Sequence, residues 1–202
     1  MPIRRPALVL ARVLALVLAP ALLGAGPPGD AVAVVKKTLD AALAIARAGG
    51  TRDENLAALR AVARDILDTR AMGRRAMGDV LAAQPPRQQE EYLELFDEVV
   101  VRAYLQKLLL FRNPRFSYGE PRRRDDVLIV PSTIATTKDE YHVDYEMRER
   151  EGRWVATDVI VEGISLTDNY KEQFSALLRD RSFVELLELM RKKVRPVREG
   201  PT

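Results

Sequence analysis

Apolar residues recur at helical spacing along the chain from residue 30 onwards. The segment from Asp30 to Ala48 is rich in alanine, and Gly49-Gly50 follow it. Its apolar stripe consists of Val32, Val35, Leu39, Leu43 and Ala46. A single stripe followed by glycines predicts a helix with one buried face.

A second helix is predicted to begin at Thr51, because Glu54 stands at the spacing of a capping box. Its apolar face continues through Leu56, Leu59, Val62 and Ile66. Asp68 is placed to cap a short third helix that runs to Met77 and ends at Gly78.

A long amphipathic pattern follows Pro85-Pro86 and extends from about Arg87 to Phe111. At ~1.5 Å per residue, the predicted helix is long enough to cross a whole domain. Asn113-Pro114 interrupts the pattern, and the apolar period then changes from about 3.6 to about 2.

Four strands are predicted by this shorter period, over Arg115–Glu120, Val127–Thr137, Glu140–Arg150 and Arg153–Glu162. Turn residues at Lys138-Asp139 and Glu151-Gly152 connect the last three as hairpins, so the sheet is expected to be antiparallel. Along the third strand one face carries Tyr141, Val143, Tyr145 and Met147, and the other carries His142, Asp144, Glu146 and Arg148. We therefore expect one face of the sheet to meet an apolar interior and the other to meet water.

Two more helices are predicted after the sheet, over 166–178 and 183–194. Ser165 is placed to cap the first, and Ser182 with Glu185 begins the second. This order of elements predicts an α+β fold, with a bent four-stranded antiparallel sheet wrapped by helices. Closure of the sheet by the long helix would form a cone with an apolar cavity.

Residues 1–26 have the layout of a secretory signal peptide, with two arginines before an apolar run from Ala7 to Leu23 and small residues after it. The alternative is an uncleaved membrane anchor, but Arg12 and Pro20 interrupt the run and leave it short of the ~20 residues a spanning helix needs. The chain has no cysteine, which excludes a disulfide and an acylated-cysteine anchor. We therefore expect a single mature domain, residues 27–202, free in the periplasm.

The charge of the chain becomes balanced once the leader is removed. The sequence has 32 basic and 29 acidic residues, and the leader contains three of the basic ones and no acidic one. A neutral domain lacks the broad positive field of nucleic-acid-binding proteins, so we expect no nucleic-acid partner. We interpret the local run Arg122-Arg123-Arg124, which precedes Asp125-Asp126, as a solvated turn.

Catalytic chemistry is scarce in this sequence. His142 is the only histidine and is predicted to lie on the polar face of its strand. Without cysteine or a second histidine, thiol nucleophiles are excluded, and Ser-His-Asp catalysis and a His-based metal site are disfavoured. Neither a phosphate-binding loop nor a Gly-x-Gly-x-x-Gly motif is present. We expect no enzymatic activity, no cofactor and no bound metal.

The stretch Trp154–Phe174 combines a β-branched strand, Glu162-Gly163, Ser165 as a cap, and apolar residues at helical spacing. This pattern resembles the MlaC family of periplasmic lipid carriers, also known as the toluene-tolerance auxiliary family. Further matching positions are Asp68, Met72, Ala76, Gly78, Gln88, Tyr92, Phe96, Tyr104 and Ile129–Thr133. The resemblance covers roughly residues 55–190, and the chain departs from it in the Arg122–Arg124 run and in the tail after Val194.

The resemblance implies a cavity that holds the acyl chains of a phospholipid and leaves the head group near solvent. Residues expected to contact the lipid are Met72, Met77, Phe96, Val100, Tyr104, Leu108, Tyr145, Met147, Ile164 and Tyr170. It also implies a monomeric shuttle that exchanges phospholipid between an outer-membrane lipoprotein complex and an inner-membrane ABC transporter with an MCE-type subunit.

Other interpretations stay open at this point. The ligand could be a hopanoid, or the protein could bind hydrophobic solvents, and each residue of the expected site could instead be ordinary core. The Arg122–Arg124 run could touch lipid head groups or a partner. An enzyme on the same cone-shaped fold would need His142 inside the cavity beside Asp144 or Asp158.

Overall fold

The computed structural model describes residues 27–108 and 114–195, without the side chains of 28, 29, 52 and 104–108. The predicted leader, the predicted helix end at Phe111 and the side chains of Tyr104 and Leu108 lie outside the described residues. The described helices are α1 (Pro28–Arg47), α2 (Arg52–Ile66), α3 (Thr69–Met77), α4 (Asp79–Ala82), α5 (Pro86–Leu108), α6 (Leu166–Leu177) and α7 (Phe183–Val194). The described strands are β1 (Arg115–Tyr118), β2 (Arg122–Arg124), β3 (Val127–Ala135), β4 (Glu140–Arg150), β5 (Arg153–Val161) and β6 (Ile164–Ser165).

The helix starts follow the caps that the sequence indicates. Thr51 and Ser182 each form a reciprocal capping box with the glutamate three residues later. Asp68 accepts a hydrogen bond from the Ala71 N–H at 2.9 Å, and Ser165 accepts one from the Asp168 N–H at 3.0 Å. Each cap pairs an N–H that the first helical turn leaves without a partner, and these four predictions are confirmed.

The α+β class and the antiparallel sheet are confirmed, but the described sheet has six strands where four were predicted. Its order is β1-β3-β4-β5-β6, and β2 pairs with β3 beside β1. The interpretation of Arg122–Arg124 as a turn was wrong, because the run forms edge strand β2 along Val127–Ile129. An edge strand needs partners on one side only, so its three arginine side chains remain exposed.

A bulge changes the predicted polar face of the sheet. Glu146 pairs with Asp158 and Met147 with Ala156, so Thr157 is an extra residue in β5. Glu146 is buried, which is contrary to the alternation that placed it in water. His142 is exposed, as the alternation predicted.

Aromatic side chains from α5, α6 and α7 form the centre of the apolar core. Their ring centroids lie 5.3–6.2 Å apart, and the contributors are Tyr92, Phe96, Tyr170, Phe174 and Phe183. α3 approaches this cluster closely at Gly73, where a Cβ would stand 3.0 Å from the Phe96 ring. None of the helices in the described part of the chain combines the length and apolarity needed to cross a membrane.

Candidate functional site

A large cavity lies between the helices α1, α2 and α5 and the strands β3, β4 and β5. Its volume is about 1010 Å³, at the upper end of the ~300–1,000 Å³ usual for small-molecule sites. It is separate from the aromatic cluster, none of whose rings lines it. The described molecule therefore combines a filled core with a hollow beside it.

The helical side of the cavity is apolar because each helix turns one face towards it. On α2 this face has the i, i+3, i+4, i+7 spacing and consists of Leu59, Val62, Ala63 and Ile66. α1 contributes Thr38, Leu39 and Ala42, and α5 contributes Val100 and Val101. The small side chains of Ala42 and Ala63 leave space that larger residues would fill.

The sheet side is apolar because inward positions alternate along each strand. β4 presents Val143 and Tyr145, which pair across the ladder with Val161 and Val159 of β5. Ile134 of β3 completes this row of inward side chains. Burial raises the pKa of the Tyr145 hydroxyl, which favours its neutral form in the wall.

Polar residues gather where the cavity opens to solvent. We define the mouth as the lining residues of two turns and the start of α6, namely Thr136, Thr137, Lys138, Asp139, Glu162, Ile164, Ser165 and Asn169. The β3–β4 turn is held by the Thr136 hydroxyl, which accepts hydrogen bonds from the N–H groups of Lys138 at 3.2 Å and Asp139 at 2.9 Å. Ile164 is 61% exposed, so an apolar side chain also stands at the rim.

The start of α6 is held by an ionic network behind the mouth, whose two carboxylates are buried and whose arginines reach the surface. Asp158 is 1% exposed, and its carboxylate accepts hydrogen bonds from the Thr167 N–H at 3.1 Å and the Thr167 hydroxyl at 2.8 Å. Arg75 forms ion pairs with Asp158 and with Glu146, and Arg124 of β2 also pairs with Glu146. Both buried carboxylates are thereby paired, as burial of charge requires.

The expected lipid contacts fall into three groups. Val100, Tyr145 and Ile164 line the cavity. Five others lie outside the described lining and pack in the buried core beside it, namely Met72, Met77, Phe96, Met147 and Tyr170. Tyr104 and Leu108 have side chains outside the described residues. Lipid contact by any of these residues stays a prediction.

Part of the described wall comes from residues that the sequence analysis assigned to ordinary buried faces, namely Leu39 of α1 and Leu59, Val62 and Ile66 of α2. The inward valines of β5, Val159 and Val161, were not singled out there. Ala42 and Ala63, which line the cavity, were not among the stripe residues, and the many alanines of α1 gave no signal that singled them out. An apolar stripe alone does not distinguish a face that packs against protein from one that borders a cavity.

The geometry for an Asp/His catalytic pair is not assembled in the described residues. His142 is exposed and is not among the described lining residues, and its Nδ1 lies 3.4 Å from the Thr133 hydroxyl. Its backbone N–H donates to the Glu162 carboxylate. In residues 27–108 and 114–195, no group of three or more His, Cys, Asp or Glu side chains is arranged to hold a metal ion.

The comparisons with known proteins agree with this fold. The family model described as "MlaC protein" matches residues 34–192. The solved structure of the phospholipid-binding protein from Ralstonia solanacearum, in complex with a phospholipid, is similar with a TM-score of 0.74 and 23% sequence identity. That similarity covers 82% of this chain and 97% of the Ralstonia chain. Because the family match extends over most of its length, the chain belongs to the MlaC family.

Proposed function

We propose that this protein binds a phospholipid by its acyl chains and carries it across the periplasm. The observation that supports this most is the apolar cavity of about 1010 Å³ with a polar mouth. Membership of the MlaC family and the phospholipid bound by the Ralstonia protein of similar fold point to the same ligand class.

The arrangement of the wall suits an amphiphile. Acyl chains would lie between the apolar faces of α2 and β4, and the head group would stay at the mouth near Lys138 and Asn169. Burying the chains removes apolar surface from water, and the polar head group keeps its hydration.

A carrier of this kind lowers the large energetic barrier to moving a lipid from a bilayer through water. Exposure of acyl chain to water costs about 0.8 kcal/mol per methylene, so a lipid with ~30 methylenes faces on the order of 24 kcal/mol when it leaves a bilayer unaided. A cavity as apolar as hydrocarbon brings the bound lipid close in free energy to the membrane state. Loading and unloading then become reversible at membrane-associated proteins.

The proposed partners are an outer-membrane lipoprotein complex and an inner-membrane ABC transporter with an MCE-type subunit. The predicted leader would deliver the chain to the periplasm between them. The sequence contains no phosphate-binding loop, so the direction of transport would be set by the partners.

Native mass spectrometry of the protein purified from the periplasm tests the proposal. We expect a bound mass in the phospholipid range, which lipid extraction then identifies. A bound mass in the hopanoid range would identify a hopanoid, and not a phospholipid, as the cargo. Protein that carries no lipid and acquires none from phospholipid vesicles would overturn the proposed function.

A further inference from the structure

The charged residues of the mouth stand on two turns at one end of the sheet. Lys138 and Asp139 belong to the β3–β4 turn, and Glu162 follows β5. These are the charged residues of the described cavity lining, one positive and two negative. In the part of the chain that the structure describes, neither Lys138 nor Asp139 has an ion-pair partner.

Hydrogen bonds hold both turns in place. The Thr136 N–H donates to the Asp139 carbonyl at 2.8 Å and closes the first turn. The Glu162 N–H donates to the His142 carbonyl at 2.9 Å, and the His142 N–H donates back to the Glu162 carboxylate. Asp139 directly precedes β4, and Glu162 lies opposite His142 on the neighbouring strand, so these two residues stand on adjacent strands, whose lateral spacing is about 5 Å.

We infer that the mouth selects phospholipids whose head group bears both a phosphate and an ammonium over phospholipids of net negative charge. This inference rests on the proposed function. The Lys138 ammonium would donate to the phosphate, and Asp139 and Glu162 would attract the ammonium of a zwitterionic head group. An anionic glycerol head group offers no such cation and meets two carboxylates, so the same mouth repels it.

The size of the selection is limited by solvent. The three side chains are exposed, and exposed charge pairs change an affinity by only a few-fold. We expect phosphatidylethanolamine to be enriched about threefold over phosphatidylglycerol of identical chains. The enrichment should vanish at about 1 M salt, where the screening length falls to ~3 Å, and total lipid binding should persist because it depends on apolar burial.

The test incubates the purified protein with vesicles containing equal amounts of the two lipids and weighs the bound species by native mass spectrometry. The double variant Asp139→Asn, Glu162→Gln removes both mouth carboxylates, and the amide introduced by Glu162→Gln keeps an oxygen for the His142 N–H. The matched control is Asp125→Asn, Glu151→Gln. These residues occupy turns at the opposite end of the sheet and are not among the described lining residues.

The expected result is a threefold preference for phosphatidylethanolamine in the wild type and in the control. In the mouth variant, where Lys138 is the remaining charge of the lining, this preference should be lost or reversed in favour of phosphatidylglycerol. Bound lipid that mirrors the vesicle composition in all three proteins would overturn the head-group inference and leave the proposed function standing. The same preference in the mouth variant as in the wild type would also overturn it. Absence of bound phospholipid from every protein would instead overturn the proposed function.

Discussion

The Arg75 guanidinium of α3 forms an ion pair with the Asp158 carboxylate of β5, which is almost fully buried. Asp158 also accepts hydrogen bonds from the hydroxyl and N–H of Thr167 at the start of α6. One carboxylate therefore joins a helix, the sheet and the element that carries Ser165 and Asn169 to the mouth.

Removing this carboxylate should destabilise the fold. Asp158→Ala leaves the buried N–H and hydroxyl of Thr167 without their acceptor and removes one of the two carboxylates that pair with Arg75. We therefore expect the free energy of unfolding to fall by about 3 kcal/mol in urea titrations. Asp144→Asn is the control, because its ion pair with Arg122 is largely exposed and should contribute less than about 1 kcal/mol. Equal losses in the two variants would contradict the role given to Asp158.

Close packing of α3 against α5 should make Gly73→Ala destabilising. An alanine normally stabilises a helix relative to glycine by about 0.5–1 kcal/mol, but here the new Cβ meets Phe96 at 3.0 Å and Leu93 at 3.1 Å. Phe96 is fully buried among other rings and has little room to move. We expect a net loss of about 1–3 kcal/mol in thermal or urea unfolding.

The second variant Phe96→Leu separates this steric effect from other causes. In the Gly73→Ala background, Phe96→Leu removes part of the clash. The double variant should therefore lose less free energy of unfolding than the sum of the losses of the two single variants. If the two losses were strictly additive, or if Gly73→Ala stabilised the protein, there would be space for a Cβ between α3 and α5, contrary to the close packing in the structure.

Filling the cavity should lower lipid binding without unfolding the protein. Val62→Trp places a large ring among Leu59, Ile66 and the inward face of β4, where there is free volume. Displacing even two methylenes of lipid costs ~1.6 kcal/mol, so the amount of retained phospholipid should fall about tenfold. Ala61→Trp is the matched control, since Ala61 is exposed on α2 and does not line the cavity.

Lipid content of the two tryptophan variants is measured by extraction after purification, and their melting temperatures by circular dichroism. Undiminished lipid in folded Val62→Trp protein would place the ligand elsewhere.

Alkaline pH should weaken the fold in part through Tyr118. Its hydroxyl is buried without a hydrogen-bond partner among the described residues, and burial, with the Asp40 charge, raises its pKa to about 12. The unfolded chain loses the proton near pH ~10, so the folded state binds it more tightly and stability declines as pH rises from about 10 to about 12. Tyr118→Phe should make this decline less steep in urea titrations at several pH values.

The ionisation of the Tyr118 hydroxyl can also be measured directly. The tyrosinate absorbance of the wild type minus that of Tyr118→Phe should rise with a midpoint near 12. A midpoint near the ordinary value would mean that solvent reaches the Tyr118 hydroxyl.

Local features of the fold could be predicted from the sequence, because their causes are local. The boxes at Thr51 and Ser182 depend on residues three apart, and the hairpins depend on short turns and a two-residue period. The burial of Glu146 could not be predicted in this way. It depends on a bulge in β5 and on arginines 71 and 22 residues distant in sequence.

The cavity wall was harder to predict than the elements that form it. The resemblance to the MlaC family grouped Met72, Phe96 and Tyr170 with Val100 and Tyr145 as expected lipid contacts, although each could equally have been ordinary core. Tertiary packing divides them, since the Phe96 and Tyr170 rings meet edge-on in the core, whereas Val100 and Tyr145 border the cavity. Periodicity identifies a buried face, but the partner of that face depends on how distant elements meet.

The most direct test of the central claim is to map where the acyl chains lie. A phospholipid with a photoreactive diazirine in one chain is bound to the protein, irradiated, and its attachment sites are located by peptide mass spectrometry. The account predicts labels on the inward residues of α2 and β4, such as Leu59 and Val143, and their loss in Val62→Trp. Labels confined to outward positions such as Ala61 and Val184, with the inward faces unmodified, would contradict it.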